Sequence, residues 1–245
     1  MAGRSAEGWV TAMSLAKGYG RFATLVNSLV LVVLWGLGAA HAQTTPDTAG
    51  TVVKIAMLGD SLTAGYGLAP EQAIPARLQA ALRAEGRKVA VFNHGVSGDT
   101  TAGGIDRLDW MLGDKPDIVI VELGANDALR GTDPATTEHN LDTIIARLKQ
   151  TKVTIWLVGM VAPRNLGSEY VQAFDAIYRR LADKYGIPLY PFILDGVAQD
   201  PALNQADGLH PNSQGVEVIV KRLLPFVNKN LDDYDAASVH RPSRP

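Results

Sequence analysis

Met57-Leu58-Gly59-Asp60-Ser61-Leu62-Thr63-Ala64-Gly65-Tyr66-Gly67 follows directly on Val52-Val53-Lys54-Ile55-Ala56 in this 245-residue chain. The β-branched, apolar run predicts a buried strand, and the segment after Ser61 reads as the start of a helix. A serine at such a junction has its hydroxyl exposed at the carboxyl edge of a sheet. Its own N–H lies among the unpaired donors of a helix N-terminus. Ser61 is therefore the candidate nucleophile, and the rest of the chain is read for a base, an orienting acid and oxyanion donors.

Downstream, Pro75 suits a first helical turn, with Ile74, Leu78 and Leu82 at helical spacing and Gly86 as a stop. Residues 88–93 read as a second strand, ending in His94-Gly95-Val96-Ser97-Gly98-Asp99-Thr100. There Asp99 or Thr100 can cap a helix running toward Met111. Residues 117–123 form a near-continuous apolar run of the kind found in sheets covered on both faces. That run ends in Gly124-Ala125-Asn126-Asp127. Asp133-Pro134 opens an amphipathic helix with Leu141, Ile144, Ile145 and Leu148 on one face. Residues 153–158 predict a fourth strand, leading into the loop 160–167. One helix is then expected to carry Tyr170, Phe174, Ile177, Tyr178 and Leu181 as far as Gly186. Residues 187–192 predict a last strand with prolines at its margins, and residues 213–228 a final helix.

Strands alternating with helices predict an α/β fold, a parallel sheet covered by helices on both faces. Ligands of such sheets bind at the carboxyl ends of the strands. Ser61, Gly98 and Asn126 all fall there, after the first, second and third strands.

Composition excludes several alternatives. The net charge of −2 suggests neither a nucleic-acid footprint nor a polyanion partner. The absence of cysteine excludes disulfides, thiolate metal sites and a cysteine nucleophile. At the N-terminus, Arg4, Lys17 and Arg21 precede an apolar run from Phe22 to Ala40, closed by Ala40-His41-Ala42. The pattern predicts a signal peptide over residues 1–42, cleaved after Ala42, hence a periplasmic or secreted protein without stable membrane insertion. An uncleaved anchor is the rival reading, because the run is close to bilayer-spanning length. Residues 43–50 read as a linker, 51–231 as the domain and 232–245 as a disordered tail. The protein is expected to be a monomer.

Of five histidines, His41 belongs to the signal, His139 to an amphipathic helix and His240 to the tail. His94 and His210 remain. His210 sits in Asp207-Gly208-Leu209-His210-Pro211-Asn212, where an acid three residues upstream can bond the imidazole Nδ1 across a tight turn. That leaves Nε2 to take the serine proton. His94 is the weaker candidate, since a strand-end histidine is more often structural. Oxyanion donors are available from the Ser61 N–H, the Gly98 N–H and the Asn126 amide, although Gly98 alone reads as a turn glycine and Asn126 alone as a cap. Asp60 and Asp127 read as loop braces. In the loop after the fourth strand, Met160, Val161, Ala162, Pro163 and Leu166 are candidate acyl contacts, with packing as the alternative.

Gly59-Asp60-Ser61-Leu62, Gly98 in its Ser-Gly-Asp setting, Gly124-Ala125-Asn126-Asp127 and Asp207-Gly208-Leu209-His210 resemble, in order, the four blocks of the SGNH (GDSL) hydrolase superfamily. The likeness covers the whole domain and is nearest to the periplasmic thioesterase I, lysophospholipase and arylesterase branch. It implies a flavodoxin-like three-layer α/β/α sandwich with a central five-stranded parallel sheet. It further implies a triad of Ser61, Asp207 and His210 and an oxyanion hole of Ser61, Gly98 and Asn126. The activity implied is cofactor-free hydrolysis of a small-molecule acyl ester or thioester. Ala125 departs from relatives with glycine there. The Gly-x-Ser-x-Gly elbow of other α/β hydrolases is absent. Two rival readings are a carbohydrate O-deacetylase of the same superfamily and a non-catalytic phosphate- or nucleotide-binding module. The second leaves Asp207 and His210 unused and lacks a Walker-type lysine.

Overall fold

The computed structural model describes residues 51–238, so the expected signal peptide, the whole expected linker and the last seven residues lie outside the described part. Five strands, β1 (Val53–Gly59), β2 (Val89–Gly95), β3 (Ile118–Glu122), β4 (Thr154–Val158) and β5 (Leu189–Tyr190), form one parallel sheet in the order β2-β1-β3-β4-β5. This is the expected five-stranded, flavodoxin-like arrangement. The strand order reverses at β1, so the crevice at its carboxyl end is the natural ligand site. Register sets the level of that rim: Gly59 pairs with Gly95 on one side and with Glu122 on the other.

Helices α1 (Ser61–Ala64), α2 (Ile74–Ala84), α3 (Thr101–Asp106), α4 (Leu108–Leu112), α5 (Ala125–Leu129), α6 (Pro134–Gln150), α7 (Ser168–Asp175), α8 (Ile177–Tyr185) and α9 (Ser213–Ser238) complete the described part. All five β3 residues are buried, as the apolar run predicts. Helix α2 packs on α9, and α6 packs on α3 and α8. Ile74, Leu78 and Leu82 of α2, and Leu141, Ile144, Ile145 and Leu148 of α6, are fully buried. Each such side chain contributes about 1.5–3 kcal/mol of transfer free energy.

Several boundaries differ from expectation. The helix expected to run from Thr100 toward Met111 breaks at Arg107, between α3 and α4. The single helix expected before Gly186 is two, α7 and α8, parted at Ala176. Strand β5 keeps only two residues, because Pro188 and Pro191 on either side have no N–H to give a ladder.

The largest correction is at the C-terminus. Helix α9 continues through the expected tail to Ser238, with Pro225 inside it. Pro225 is exposed, and so is Lys221, whose carbonyl loses its donor, so water can satisfy it. The extra turns are held by buried Leu231 and by ion pairs from Arg87 to Asp232 and Asp235. The expected disordered tail is therefore helical over residues 232–238.

Candidate active site

Ser61 is the first residue of α1, and Asp60 caps that helix by accepting the Leu62 N–H at 2.9 Å. His210 comes from the loop between β5 and α9. Its Nε2 lies 2.8 Å from Ser61 Oγ, and its Nδ1 lies 2.6 Å from Asp207 Oδ2. The other Asp207 oxygen accepts the backbone N–H groups of Leu209 and His210 at 2.9 and 3.0 Å. The His210 N–H, then its imidazole, then the Leu209 N–H hold the Asp207 carboxyl down at about 2. An ionised Asp207 assigns the Nδ1–H tautomer to His210, so the Nε2 lone pair faces the serine hydroxyl.

Two residues that sequence reading did not single out hold this loop against the serine. Gln205 Nε2 donates to the Tyr66 carbonyl at 2.7 Å and to the Pro211 carbonyl at 2.9 Å. The Tyr66 ring lies 4.6 Å from the His210 ring. Tyr66 was visible as part of the serine motif, but nothing local indicates that its ring meets an imidazole more than a hundred residues away.

The second and third blocks converge on the same rim. Gly98 turns with φ +82°, a left-handed conformation that favours glycine. Among the described residues, no protein acceptor meets its N–H or that of Ser61. Asn126 Nδ2 donates to the Asp99 carbonyl at 2.8 Å and more distantly to Asp60 Oδ2, at 3.3 Å. Asp127 is the brace that its motif suggests: its carboxylate accepts both the N–H and the hydroxyl of Thr101. Asp60 is a brace as well, and burial pushes its carboxyl up to about 6. Arg107, not singled out in the sequence, donates to the carbonyls of Gly59 and His94 and pairs with Asp99. It thus ties the ends of β1 and β2 to the Gly98 turn.

His94 lies elsewhere. Its ring is buried edge-on against Trp110, and its Nε2 is 3.1 Å from an Asp114 carboxylate oxygen. Burial lowers its pKa, partly offset by Asp114.

Beside Ser61 and His210 opens a cavity of 590 Å³. Met160, Val161, Ala162 and Pro163 line it, together with Leu62, Leu129, Phe192, Leu194 and Leu209. Leu166 does not. Pro163 starts a single 3-10 turn, Arg164–Leu166, and Leu166 lines a separate groove with Tyr170 and Arg180. Leu62, Leu129 and Leu209 stand within or beside the catalytic motifs, so adjacency was the available signal. Phe192 and Leu194 follow β5, where the strand-end rule could have found them. Among the described residues, no group of three or more His, Asp or Glu side chains is arranged to hold a metal ion.

Residues 57–218 match the GDSL-like lipase/acylhydrolase family model. The chain is 37% identical to an arylesterase of Vibrio mimicus, over 84% of this chain and all of that protein. It is 40% identical to thioesterase 1/protease 1/lysophospholipase L1 of Escherichia coli K12, over 70% of this chain and 84% of that one. The crystal structure of AlinE4, an SGNH-hydrolase family esterase, superposes with a TM-score of 0.63 at 47% identity, covering 74% of this chain and 98% of AlinE4. The motifs, the sheet order and these likenesses agree: the chain belongs to the GDSL-like lipase/acylhydrolase family, within the SGNH hydrolases, and is an ester-hydrolysing enzyme.

Proposed function

We propose that this protein is an exported esterase that cleaves acyl esters and thioesters through an acyl-enzyme on Ser61. Its substrates would be aryl esters, short-to-medium acyl chains and lysophospholipids. The observation that carries this reading is the contact of Ser61 Oγ with His210 Nε2 at the mouth of an apolar cavity, with Asp207 on the other ring nitrogen.

In this reading His210 Nε2 takes the hydroxyl proton as Ser61 Oγ bonds to the substrate carbonyl carbon. The tetrahedral oxyanion meets the N–H groups of Ser61 and Gly98 and the Asn126 amide. The longer Asn126 contact, to Asp60, is the one an oxyanion would replace. The intermediate collapses with the proton passing from His210 to the leaving alcohol or thiol. A water, deprotonated by His210, then attacks the acyl-enzyme, releasing the carboxylic acid and restoring Ser61. Asp207 orients the ring and stabilises the imidazolium.

The cavity falls within the range of small-molecule sites, about 300–1,000 Å³. Its Leu, Met, Phe and Pro lining suits an acyl chain better than an acetylated sugar. The homologous arylesterase and thioesterase/lysophospholipase support the same substrate classes. Among the described residues no helix is long and apolar enough to cross a membrane. Export rests on the pattern of residues 1–42, and N-terminal sequencing of the protein recovered from its native host tests it. A p-nitrophenyl ester series of increasing acyl length, run on wild type and Ser61→Ala, tests the catalytic reading. The wild type should show an optimum among short-to-medium chains and the variant should be inactive on all of them. Turnover by Ser61→Ala would overturn it.

A further inference from the structure

Glu122 ends β3 level with Gly59 of β1, and it is completely buried. A buried carboxyl group is costly unless it is hydrogen-bonded or paired. Among the described residues no Lys, Arg or His forms an ion pair with it. Its partners belong to the nucleophile turn instead. Thr63 Oγ1 donates to Glu122 Oε2 at 2.5 Å, and the backbone N–H groups of Asp60 and Thr63 also act on the carboxyl group.

A helix start leaves four N–H groups without helical partners. In this turn, Leu62 directs its own to Asp60, while those of Asp60 and Thr63 act on the Glu122 carboxyl group from beyond good hydrogen-bond geometry, and Glu122 Oε1 has no hydrogen-bond partner. Ser61 keeps the remaining one. The fit also explains the glycine before Asp60: a Cβ on Gly59 would collide with the Thr63 hydroxyl and the Glu122 carboxyl group.

We propose that Glu122 is a positioning residue for Ser61: its carboxyl group fastens the Asp60–Thr63 turn to the end of β3 and leaves the Ser61 N–H as that turn's open donor. The inference rests on the reading of Ser61 as nucleophile. Glu122 serves this role as a neutral acid. Burial, reinforced by the neighbouring Asp60 charge, pushes its carboxyl well above the usual carboxylate range. A neutral hydrogen-bonding group of the same shape should therefore replace it.

The test compares Glu122→Gln with Glu122→Ala in steady-state hydrolysis of p-nitrophenyl butyrate, with near-ultraviolet circular dichroism to establish the fold. Glu122→Gln should keep kcat within about threefold of wild type, and Glu122→Ala should lose about 10- to 100-fold in kcat with KM nearly unchanged, as misalignment of a reacting group does. Wild-type kcat in Glu122→Ala, or a loss in Glu122→Gln equal to that in Glu122→Ala, would overturn the inference. Should Glu122→Ala fail to fold, Thr63→Val removes only the hydroxyl contact. It should lower kcat and leave KM alone, and an unchanged kcat there would equally overturn the inference. Ser61→Ala, assayed alongside, separates the two readings. If it retains turnover, the nucleophile assignment fails. If it is inactive while Glu122→Ala is unimpaired, only the role of Glu122 fails.

Discussion

Among the described residues two histidines meet an aspartate carboxylate, His210 with Asp207 and His94 with Asp114, and the fold gives them opposite surroundings. His210 is partly exposed, its acid sits on Nδ1, and its Nε2 faces a serine hydroxyl. His94 is buried, its acid sits 3.1 Å from Nε2, and neither ring nitrogen makes a well-directed hydrogen bond. Composition is the same in both. What differs is which ring nitrogen is left for a substrate proton and whether solvent-side space lies beyond it. Asp207 is also gripped by two backbone N–H groups, whereas Asp114 is half exposed and contacts His94 from outside.

Breaking the first pair should abolish turnover. Ser61→Ala and His210→Ala should each lower kcat by about 10⁴-fold or more, because triad members act as a unit, as read by p-nitrophenyl ester kinetics on folded protein. Asp207→Asn should come next, with a loss of up to about 10⁴-fold, since an amide can hold the ring in the wrong tautomer. A smaller effect is expected from Asn126→Ala, about 10²–10³-fold in kcat for loss of one oxyanion donor. That variant should remain measurably active.

The second pair should respond in stability and not in turnover. His94→Leu should leave kcat close to wild type. Burial depresses the His94 pKa below its unfolded value, so the unfolded chain binds the proton more readily. The stability His94 contributes is thus present above the ordinary histidine pKa of about 6.5 and lost as pH falls through its lower folded value. The melting temperature of His94→Leu should therefore gain on that of wild type as pH is lowered from neutral into the mildly acidic range. An inactive, folded His94→Leu alongside an active His210→Ala would reverse the assignment of the base.

Much of this was legible in the chain. The buried strands and the α2 and α6 faces are written in local periodicity and turn residues, and they appear where expected, whereas the four blocks were read from their resemblance to a family. The loop after β4 was legible only in part: Met160 to Pro163 reach the cavity, but one 3-10 turn carries Leu166 away from it. Helix α9 outran its expected end because the ion pairs of Asp232 and Asp235 reach back to Arg87, a partner that no window around residue 232 contains.

The amino-acid sequence by itself determined the alternation of strands and helices and the parallel sheet, and it offered Ser61, Asp207 and His210 as candidates through their resemblance to a known family. The strands, helices and sheet follow from side-chain patterns that repeat within a few residues, because burial against a sheet or helix face imposes that period. Only the tertiary structure decided which histidine meets the serine 149 positions away, what lines the cavity and what Glu122 holds. Those contacts depend on sheet register and on where loops land after the core has packed, and no local pattern of residues carries that information.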